Sequence, residues 1–447
     1  MACRTNVLET VQNCAMTSSD AAPNRELIAC KDCDLLQYRP AGLQGHVVLR
    51  CSGCGGVLHE SSRHGLERTL ALALGALVLF LVSNVFPIVG LELNDNRTEV
   101  ELYGAVTALF NQGEHFIAGI VTLTTMVVPA IEVLALVYML LPLYLGRVPR
   151  FIAPVFRIVH ACKPWGMVEV FMLGVLVSVV KLANFASVLP GVALWSFGAL
   201  ILLMAAAALS FNPSDLWARV DALEQRYRPV LKPLAGLGGQ RPTAWRLGLI
   251  ACDACGQVHR QPAGMVGNLR CARCGATLIA RKRDSVRRTW AFLITAVLFY
   301  IPANVLPVME TDSLFGAEHD TIMSGIHTLW VTGSWPLAVI VFFASIMVPL
   351  LKLLMILFLL WGIHTGSQWR PARRSVLYRF VEGIGRWSML DIYVVTLLAT
   401  LVQLRGLASI QIGPGATAFA AVVVMTMFAA QSLDPRLIWD PIENEDE

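Results

Sequence analysis

Eight long apolar stretches constrain the fold of this chain more than any other feature. They lie at 69–91, 115–145, 166–189, 191–211, 289–309, 335–363, 388–407 and 414–433. A helix needs about 20 apolar residues to cross the roughly 30 Å of bilayer hydrocarbon. Charged residues make up only 15% of the 447-residue chain, whereas soluble domains contain about 25%. The sequence therefore predicts an all-α polytopic membrane protein with eight transmembrane helices.

The chain also repeats itself at an offset of about 220 residues. The matching pairs include SNVFP at 83–87 with ANVLP at 303–307, VVPAIEVL at 127–134 with MVPLLKLL at 347–354, and WGMVEVF at 165–171 with WSMLDIY at 387–393. Chance similarity between apolar segments does not explain shared Pro and Trp positions in one order. We therefore expect a tandem duplication of a four-helix transmembrane bundle, since internal repeats are common in transporter folds.

Eight of the 11 cysteines form four Cys-x-x-Cys pairs, two ahead of each group of four apolar stretches. Two residues between the thiolates let one tight turn direct both sulfurs at one ion, and two such turns complete a tetrahedral shell. The predicted metal ligands are Cys30, Cys33, Cys51, Cys54, Cys252, Cys255, Cys271 and Cys274. The β-prone pieces between the pairs, HVVLR at 46–50 and GNLR at 267–270, predict a small β-rich zinc ribbon in each half.

The closed four-sulfur shells predict two structural Zn²⁺ ions, with iron as the rival because a tetrahedral sulfur site suits either metal. A ribbon of about 35 residues is too small to fold without its metal. Both ribbons nearly lack the aromatic residues on which nucleic-acid bases stack. We therefore expect no nucleic-acid partner, and a rigid docking role for the ribbons.

The charge of the loops predicts the orientation in the membrane. The loops at 146–165, 212–288 and 364–387 are rich in Lys and Arg, whereas those at 92–114 and 310–334 are acidic. Positive loops remain in the cytoplasm, which leaves both termini and both zinc ribbons there. The predicted domains are a disordered N-terminal tail at 1–27, zinc ribbon 1 at 28–62, transmembrane unit 1 at 66–212, a cytoplasmic linker at 213–247, zinc ribbon 2 at 248–284, transmembrane unit 2 at 286–435 and an acidic C-terminal tail at 436–447.

Ionisable side chains inside the spans are costly and are therefore candidates for function. The predicted intramembrane polar network contains Glu132, Lys181, Asn184, Lys352, Asp391, Thr400 and Gln403. Glu132 and Lys181 lie at similar predicted depths and can pair. Lys352 meets Asp391 only if the third helix of the second half begins near 380–385. Two interpretations stay open: buried pairs that fix helix register, or a Lys352–Asp391 switch between two packings that is linked to proton movement.

A short motif ends the first apolar stretch of each half, as Asn84-Val85-Phe86-Pro87 and Asn304-Val305-Leu306-Pro307. Proline removes a backbone donor and breaks a helix, while asparagine can cap freed backbone groups. The motif is interpreted as a helix terminator, with a mobile gate beside a lipid-accessible cavity as the alternative.

This layout resembles the paraquat-inducible protein A family of Gram-negative inner membranes. The resemblance is carried by the two CxxC…CxxC ribbons, the NV[FL]P and VP motifs, and WxM[VL][ED][VI] before each third span. It implies an inner-membrane lipid transport subunit that loads or unloads phospholipid at the tunnel of a periplasmic MCE-domain partner. It also implies that Lys352 and Asp391 match the intramembrane lysine and acid of the family, whereas Asn184 replaces an acid.

Enzyme motifs are missing from the sequence, which has no Walker A, Gly-x-Ser-x-Gly or zincin pattern. We therefore expect neither an enzyme nor an ATP-driven pump. Two further functions stay open beside lipid transport. One is a membrane scaffold that anchors the MCE protein without moving lipid, and the other is a membrane redox protein with metal–thiolate centres.

Overall fold

A computed structural model describes residues 26–39, 47–61, 65–93, 96–111, 113–166, 168–182, 187–225, 242–261, 269–313, 316–333, 335–384, 393–394 and 408–443. The chain is mostly helical, with small antiparallel sheets. Seven helical segments within these ranges are long and apolar enough to cross a membrane. They are Gly65–Val85, His115–Tyr144, Ile152–Leu176, Val192–Ser210, Ser285–Val305, Ala338–His364 and Pro414–Ser432. The predicted eighth span, 388–407, lies outside the described residues except at 393–394.

Ribbon 1 consists of two β-hairpins. Its strands are β1 (Glu26–Ala29), β2 (Leu36–Arg39), β3 (Val47–Arg50) and β4 (Val57–Ser61). β1 pairs with β2, and β3 pairs with β4, both antiparallel. One Cys-x-x-Cys pair occupies the turn of each hairpin, which brings the two pairs to the same end of the ribbon.

The first half of the chain then forms eight helices and a three-stranded sheet. They are α1 (Gly65–Val85), β5 (Val89–Leu93), β6 (Asn96–Val100), α2 (Leu102–Asn111), α3 (His115–Thr122), α4 (Val128–Tyr144), α5 (Ile152–Cys162), α6 (Val168–Leu182), β7 (Ser187–Pro190), α7 (Val192–Ser210) and α8 (Pro213–Leu223). A π-helical turn, Leu123–Val127, joins α3 to α4. A 3-10 turn, Lys163–Trp165, joins α5 to α6.

The second half has the same order of elements in its described part. Ribbon 2 carries β8 (Leu249–Ala251) and β9 (Val258–Arg260). The next elements are α9 (Ser285–Val305), β10 (Met309–Ser313), β11 (Gly316–Asp320), α10 (Ile322–Val331), α11 (Trp335–Phe342), α12 (Val348–His364), α13 (Pro371–Ile384), β12 (Ala408–Ile412) and α14 (Pro414–Ser432). A π turn, Phe343–Met347, again precedes the long helix, and a 3-10 turn, Pro435–Ile438, follows α14.

The first long helix of each half ends inside its NVFP or NVLP motif. The sequence predicts spans at 69–91 and 289–309, but α1 ends at Val85 and α9 ends at Val305. Pro87 and Pro307 follow two residues later, and the residue before a proline disfavours the helical conformation. The Asn84 and Asn304 amides each donate to the carbonyl four residues earlier, at 2.7 and 2.8 Å. The motif therefore terminates the helix.

The predicted third span of the first half, 166–189, contains α6 (Val168–Leu182). The apolar helical segment Ile152–Leu176 includes α5 as well as the beginning of α6. Basic residues led to a loop assignment for 146–165, but this stretch contains α5, on which Ile152 and Phe156 are buried.

Two three-stranded sheets lie at the helix ends opposite the ribbons. Their strand orders are β6-β5-β7 and β11-β10-β12, and all pairs are antiparallel. The sequence predicts only acidic loops here. The missed signal is the alternation of apolar and polar residues in VGLEL at 89–93, which has the two-residue period of a strand.

The two halves share one hydrophobic core. The rings of Phe171 on α6 and Tyr393 pack edge to face at 5.3 Å between centroids. Trp165 packs on Phe428 of α14 at 5.7 Å. Phe197 and Phe419 belong to the same buried cluster. The halves are therefore packed against each other through their central helices.

Candidate functional site

Four equivalent turns hold the eight cysteines. In each turn, the backbone N–H of the first cysteine donates to the carbonyl five residues later, at 2.7 to 3.0 Å. The residue four positions after that cysteine has a positive φ, which glycine adopts without strain. Gly55, Gly256 and Gly275 occupy three of these positions, at φ values of 71°, 76° and 69°. Asp34 occupies the fourth, at φ 60°.

The side chain of Asp34 has a second role at its turn. Its carboxylate accepts hydrogen bonds from the backbone N–H of Trp245 and from Arg281 Nη1, both at 3.1 Å. Burial raises the pKa of Asp34, and Arg281 opposes this rise. A glycine at this position would adopt the positive φ without strain. It would also remove the hydrogen bond that joins ribbon 1 to the segment leading into ribbon 2.

The sulfur atoms form two compact, buried sets. The Sγ–Sγ distances are 3.4 Å for Cys30–Cys54 and Cys33–Cys51, and 3.5 Å for Cys252–Cys274 and Cys255–Cys271. Within each set, the four Sγ atoms lie within 4.8 Å of one another. A Zn–S bond of about 2.3 Å corresponds to sulfur atoms about 3.8 Å apart at the corners of a tetrahedron. These separations bracket the tetrahedral value, so each set can hold one tetrahedral metal ion.

Side chains that can donate hydrogen bonds lie next to two of the sulfurs and can stabilise the negatively charged thiolates. Gln37 Nε2 donates to Cys51 Sγ, and His259 Nε2 lies against Cys271 Sγ, each at 3.2 Å. Such outer hydrogen bonds orient ligands and tune the metal. Neither residue was among the predicted site residues, although each follows the first cysteine of its ribbon by seven positions.

Hydrogen bonds among the sulfurs split the pKa values of the thiols. The pKa of Cys51 is lowered, chiefly by its hydrogen bond with Cys30. The pKa of Cys33 is raised, also chiefly through Cys30. In ribbon 2, the pKa of Cys271 is lowered and the pKa of Cys255 is raised, both chiefly through the hydrogen bond with Cys252. Buried thiols of this kind are soft donors, which suits zinc or iron in a tetrahedral site.

Each ribbon packs on the opposite half of the chain. Ribbon 1 shares a buried cluster with Leu353, Tyr378 and Trp439 of the second half. Ribbon 2 shares a buried cluster with Phe156 and Trp217 of the first half. The two Cys₄ clusters are therefore crossed. The cluster of ribbon 1 lies against the helices of the second half, and the cluster of ribbon 2 lies against the helices of the first half.

Matching arginines make the crossed contacts polar as well. Arg379 on α13 donates from Nη2 to the Cys54 carbonyl at 2.8 Å, and its Nη1 pairs with Asp32 at 2.9 Å. Arg157 on α5 donates to the Gly275 carbonyl at 3.0 Å. Burial raises the pKa of Asp32, and Arg379 opposes the rise. Both contacts reach a metal-binding turn directly.

The segment after α14 ties the two ribbons together. Arg436 donates to the carbonyls of Lys31, at 3.2 Å, and Ala280, at 2.9 Å, and it pairs with Asp253. Arg281 pairs with Asp440 at 2.9 Å and with Asp34 of ribbon 1. The sequence predicts a tail from residue 436 onward, but the residues up to 443 are ordered into a 3-10 turn and a short helix, Asp440–Glu443.

Lys352 is a buried lysine on α12 of the second half. Only 1% of its surface is exposed, and its Nζ donates to Thr426 Oγ1 on α14 at 3.0 Å. The Thr426 hydroxyl donates in turn to the Val423 carbonyl at 2.9 Å. Thr426 was not among the predicted network residues. Asp391, the predicted partner of Lys352, lies outside the described residues, as do Asn184, Thr400 and Gln403.

Glu132 occupies the corresponding position on α4. Its carboxylate packs on Gly166, where a Cβ atom would lie 3.0 Å from Oε1. This places Glu132 at the break between α5 and α6. Lys181 lies near the far end of α6, about 20 Å away at 1.5 Å per residue. The structure therefore sets Glu132 at the opposite end of α6 from its predicted partner.

The π-helical turns place further hydroxyls inside the spans. Each turn comes just before a proline, Pro129 or Pro349. A residue that cannot donate to the helix ladder favours such a local widening. Thr124 in the first turn accepts a hydrogen bond from Tyr393 at 2.8 Å, and Ser345 in the second is buried.

The part of the chain that the structure describes contains seven helices long and apolar enough to cross a membrane, two buried Cys₄ clusters and a lysine enclosed by helices. These features define a multi-pass membrane protein with two candidate metal centres. The sequence profile described as "Paraquat-inducible protein A" matches the chain twice, at residues 66–221 and 286–443. The chain belongs to this family.

Three relatives extend the similarity over nearly the whole chain. "Intermembrane transport protein PqiA" of Escherichia coli (strain K12) is 34% identical, covering 92% of this chain and 95% of its own length. "Lipophilic envelope-spanning tunnel protein A" of the same strain is 29% identical, covering 94% and 93%. "Probable intermembrane transport protein" of Haemophilus influenzae is 26% identical, covering 95% and 98%. No solved structure matches the chain.

Proposed function

We propose that this protein is a lipid transport subunit of the Gram-negative inner membrane. It loads or unloads phospholipid at the tunnel of a periplasmic MCE-domain partner and so supports the outer-membrane barrier. The relatives named for intermembrane transport and for an envelope-spanning tunnel support this proposal. Relatives named as transport proteins also favour a role without catalysis.

The single observation that carries the proposal is the burial of Lys352. A charged side chain at bilayer depth is costly and marks functional pathways. Lys352 is nearly fully buried, and its Nζ donates to the Thr426 hydroxyl. We propose that it belongs to a polar network that changes partners during transport, together with Glu132, Lys181, Asn184, Asp391, Thr400 and Gln403. The Lys352–Asp391 pair would be the switch.

The proposed architecture is a tandem duplication with eight spans. The double match of the family profile and the repeated order of elements support it. The ribbons, both termini and the linker at 213–247 would lie in the cytoplasm, because the basic loops and both ribbons lie at the same helix ends. The two three-stranded sheets would then face the periplasm and the MCE-domain partner.

The metal centres are proposed to be structural zinc sites. Four thiolates close each shell, which leaves no position for a substrate. Zinc supplies no electron transfer at such a site, and its ligands instead hold the ribbon turns in place. Iron in the same sulfur sets would favour the redox alternative, and its visible absorption would reveal it.

The test separates transport from scaffolding. Lys352→Met keeps the length of the side chain and removes its charge, while Thr426→Ser keeps the hydroxyl and serves as the matched control. Both variants are expressed in cells that lack the native protein, and envelope barrier function and co-purification of the partner are measured. If the protein transports lipid, Lys352→Met should assemble with the partner but fail to restore the barrier. Full restoration would contradict the proposal and favour a scaffold.

A further inference from the structure

A cavity of about 440 Å³ opens in the first half, apart from the metal centres and the buried lysine. It lies between the first turns of α1, the last turn of α4 and the short helix α8. Its floor is apolar and buried, formed by Leu70, Leu140 and Leu143. The volume lies within the range of about 300–1,000 Å³ that is typical of small-molecule sites.

The cavity lies at the level of lipid headgroups. On α1 it reaches from Gly65 to Leu70, and on α4 from Leu140 to Tyr144, so its lining is confined to the ribbon-side helix ends. At 1.5 Å per residue, these positions lie within about 9 Å of the helix ends. The headgroup layers add several ångströms on each side of the roughly 30 Å hydrocarbon. Tyr144, which is 64% exposed, is a residue type enriched at this boundary.

The rim of the cavity carries charges of both signs. Glu67 lies in the first turn of α1, and Asp215 and Arg219 lie one turn apart on α8. A guanidinium is the preferred partner of a phosphate oxygen. Carboxylates accept hydrogen bonds from a primary ammonium, which offers three donors. One ligand that carries both a phosphate and a primary ammonium above acyl chains matches the rim and the apolar floor together.

The corresponding place in the second half has lost this charge pattern. The repeat equates Glu67 with Arg287 and Asp215 with Leu437. The helix α8 is replaced there by the 3-10 turn Pro435–Ile438. The carboxylates are therefore specific to the first half, and the second half provides a matched control position.

We infer that this cavity binds the headgroup of one zwitterionic phospholipid with a primary amine, from the leaflet on the ribbon side. The inference rests on the proposed lipid transport function and names the class of lipid and its place of contact. Arg219 binds the phosphate, Glu67 and Asp215 bind the ammonium, and the leucine floor contacts the glycerol region and the first methylene groups.

The experiment measures lipid binding to the full-length protein by native mass spectrometry. The delipidated protein in detergent is titrated with phosphatidylethanolamine, phosphatidylcholine or phosphatidylglycerol. Phosphatidylcholine has a cation without N–H donors, and phosphatidylglycerol has no cation. We expect phosphatidylethanolamine to bind at least about tenfold more tightly than the other two, because hydrogen bonds to charged groups are strong. The double variant Glu67→Gln/Asp215→Asn should abolish this preference.

The control Arg287→Gln, at the position equivalent to Glu67, should leave the preference unchanged. A second variant, Leu66→Trp, keeps every rim charge but fills the cavity, and it should abolish tight binding while the melting temperature is kept. Equal affinity for the three lipids, or an unchanged preference in both cavity variants, would overturn the inference. The assay contains no partner and no transport step. Selective binding without transport would therefore contradict the proposed function alone, and transport without selective binding would contradict this inference alone.

Discussion

The crossed packing of the ribbons leads to a prediction about Arg379. This arginine lies on α13, in the second half, yet it contacts the metal-binding turn of ribbon 1 through the Cys54 carbonyl and Asp32. We predict that Arg379→Gln loosens ribbon 1 rather than ribbon 2. The corresponding variant Arg157→Gln, on α5 of the first half, should loosen ribbon 2 through loss of its bond to Gly275.

The magnitude follows from the contacts that each variant loses. Arg379 makes a charge-assisted hydrogen bond to Asp32 and a second bond to a carbonyl, and the paired side chains are 31% and 19% exposed. Hydrogen bonds to charged groups contribute about 1.5–3 kcal/mol, and partial exposure reduces this value. A net loss of about 2 kcal/mol corresponds to an almost 30-fold increase in the opening of ribbon 1. Arg157 loses one neutral-acceptor bond, about 1 kcal/mol, or roughly fivefold.

Hydrogen exchange monitored by mass spectrometry measures both ribbons in the same sample. Local opening controls the exchange of protected amides, so peptides covering 26–61 report on ribbon 1 and those covering 242–281 report on ribbon 2. We expect Arg379→Gln to accelerate exchange mainly in the first set, and Arg157→Gln to do so more weakly in the second set. Acceleration in the ribbon of the same half, or equal effects in both ribbons, would refute the crossed arrangement.

Three further outcomes follow from individual contacts. Metal analysis should find two zinc ions per chain, and Cys271→Ser should leave one, because the two Cys₄ sets are separate; retention of both ions or of none would contradict this independence. Gly56→Ala should increase the hydrogen-exchange rate of ribbon 1 about tenfold, because the added Cβ would lie 2.6 Å from Arg379 Nη1 and weaken the contact with α13. The control Gly104→Ala has no neighbour within 4 Å and should leave this rate unchanged. Thr426→Val should lower the free energy of unfolding in detergent by about 1–3 kcal/mol, because the Lys352 amine loses its hydroxyl partner. Thr426→Ser keeps the hydroxyl and should retain the stability of the unsubstituted protein.

The two buried Cys₄ clusters were predictable because their pattern is local. A Cys-x-x-Cys turn places both sulfurs within a few residues, so its spacing alone indicates a site. The glycines that follow three of the four turns add to this pattern, and they adopt the positive φ that the turn requires. Asp34 breaks the pattern, and only the structure shows that its carboxylate holds Arg281.

Hydropathy predicted the seven candidate spans of the described residues, but it did not predict their ends. The apolar run 69–91 contains no charged residue before Glu92, so composition alone continues the span to 91. Pro87 ends the helix, and the remaining apolar residues enter β5, where they pair with β6 and β7. Strand pairing is non-local, and therefore the sheets could not be derived from this run.

The crossed packing and the buried hydrogen bond of Lys352 could not be predicted. Cys54 and Arg379 are separated by 325 positions, and no local pattern connects them. Thr426 lies in an apolar helix where a threonine hydroxyl ordinarily bonds back to its own helix, and it does so here through Val423. Only the packing of α12 on α14 shows that the same hydroxyl accepts from the lysine.

Direct transfer of lipid tests whether this protein delivers phospholipid to the proposed periplasmic partner. Purified protein is reconstituted in vesicles that contain a fluorescent phospholipid, and the purified periplasmic MCE-domain partner is added as acceptor. We predict that labelled lipid moves to the partner only with the intact chain, and that Lys352→Met stops the transfer while the partner still binds. Equal transfer with the intact chain and with this variant would contradict the role assigned to the buried lysine, and no transfer above protein-free vesicles would contradict lipid transport itself.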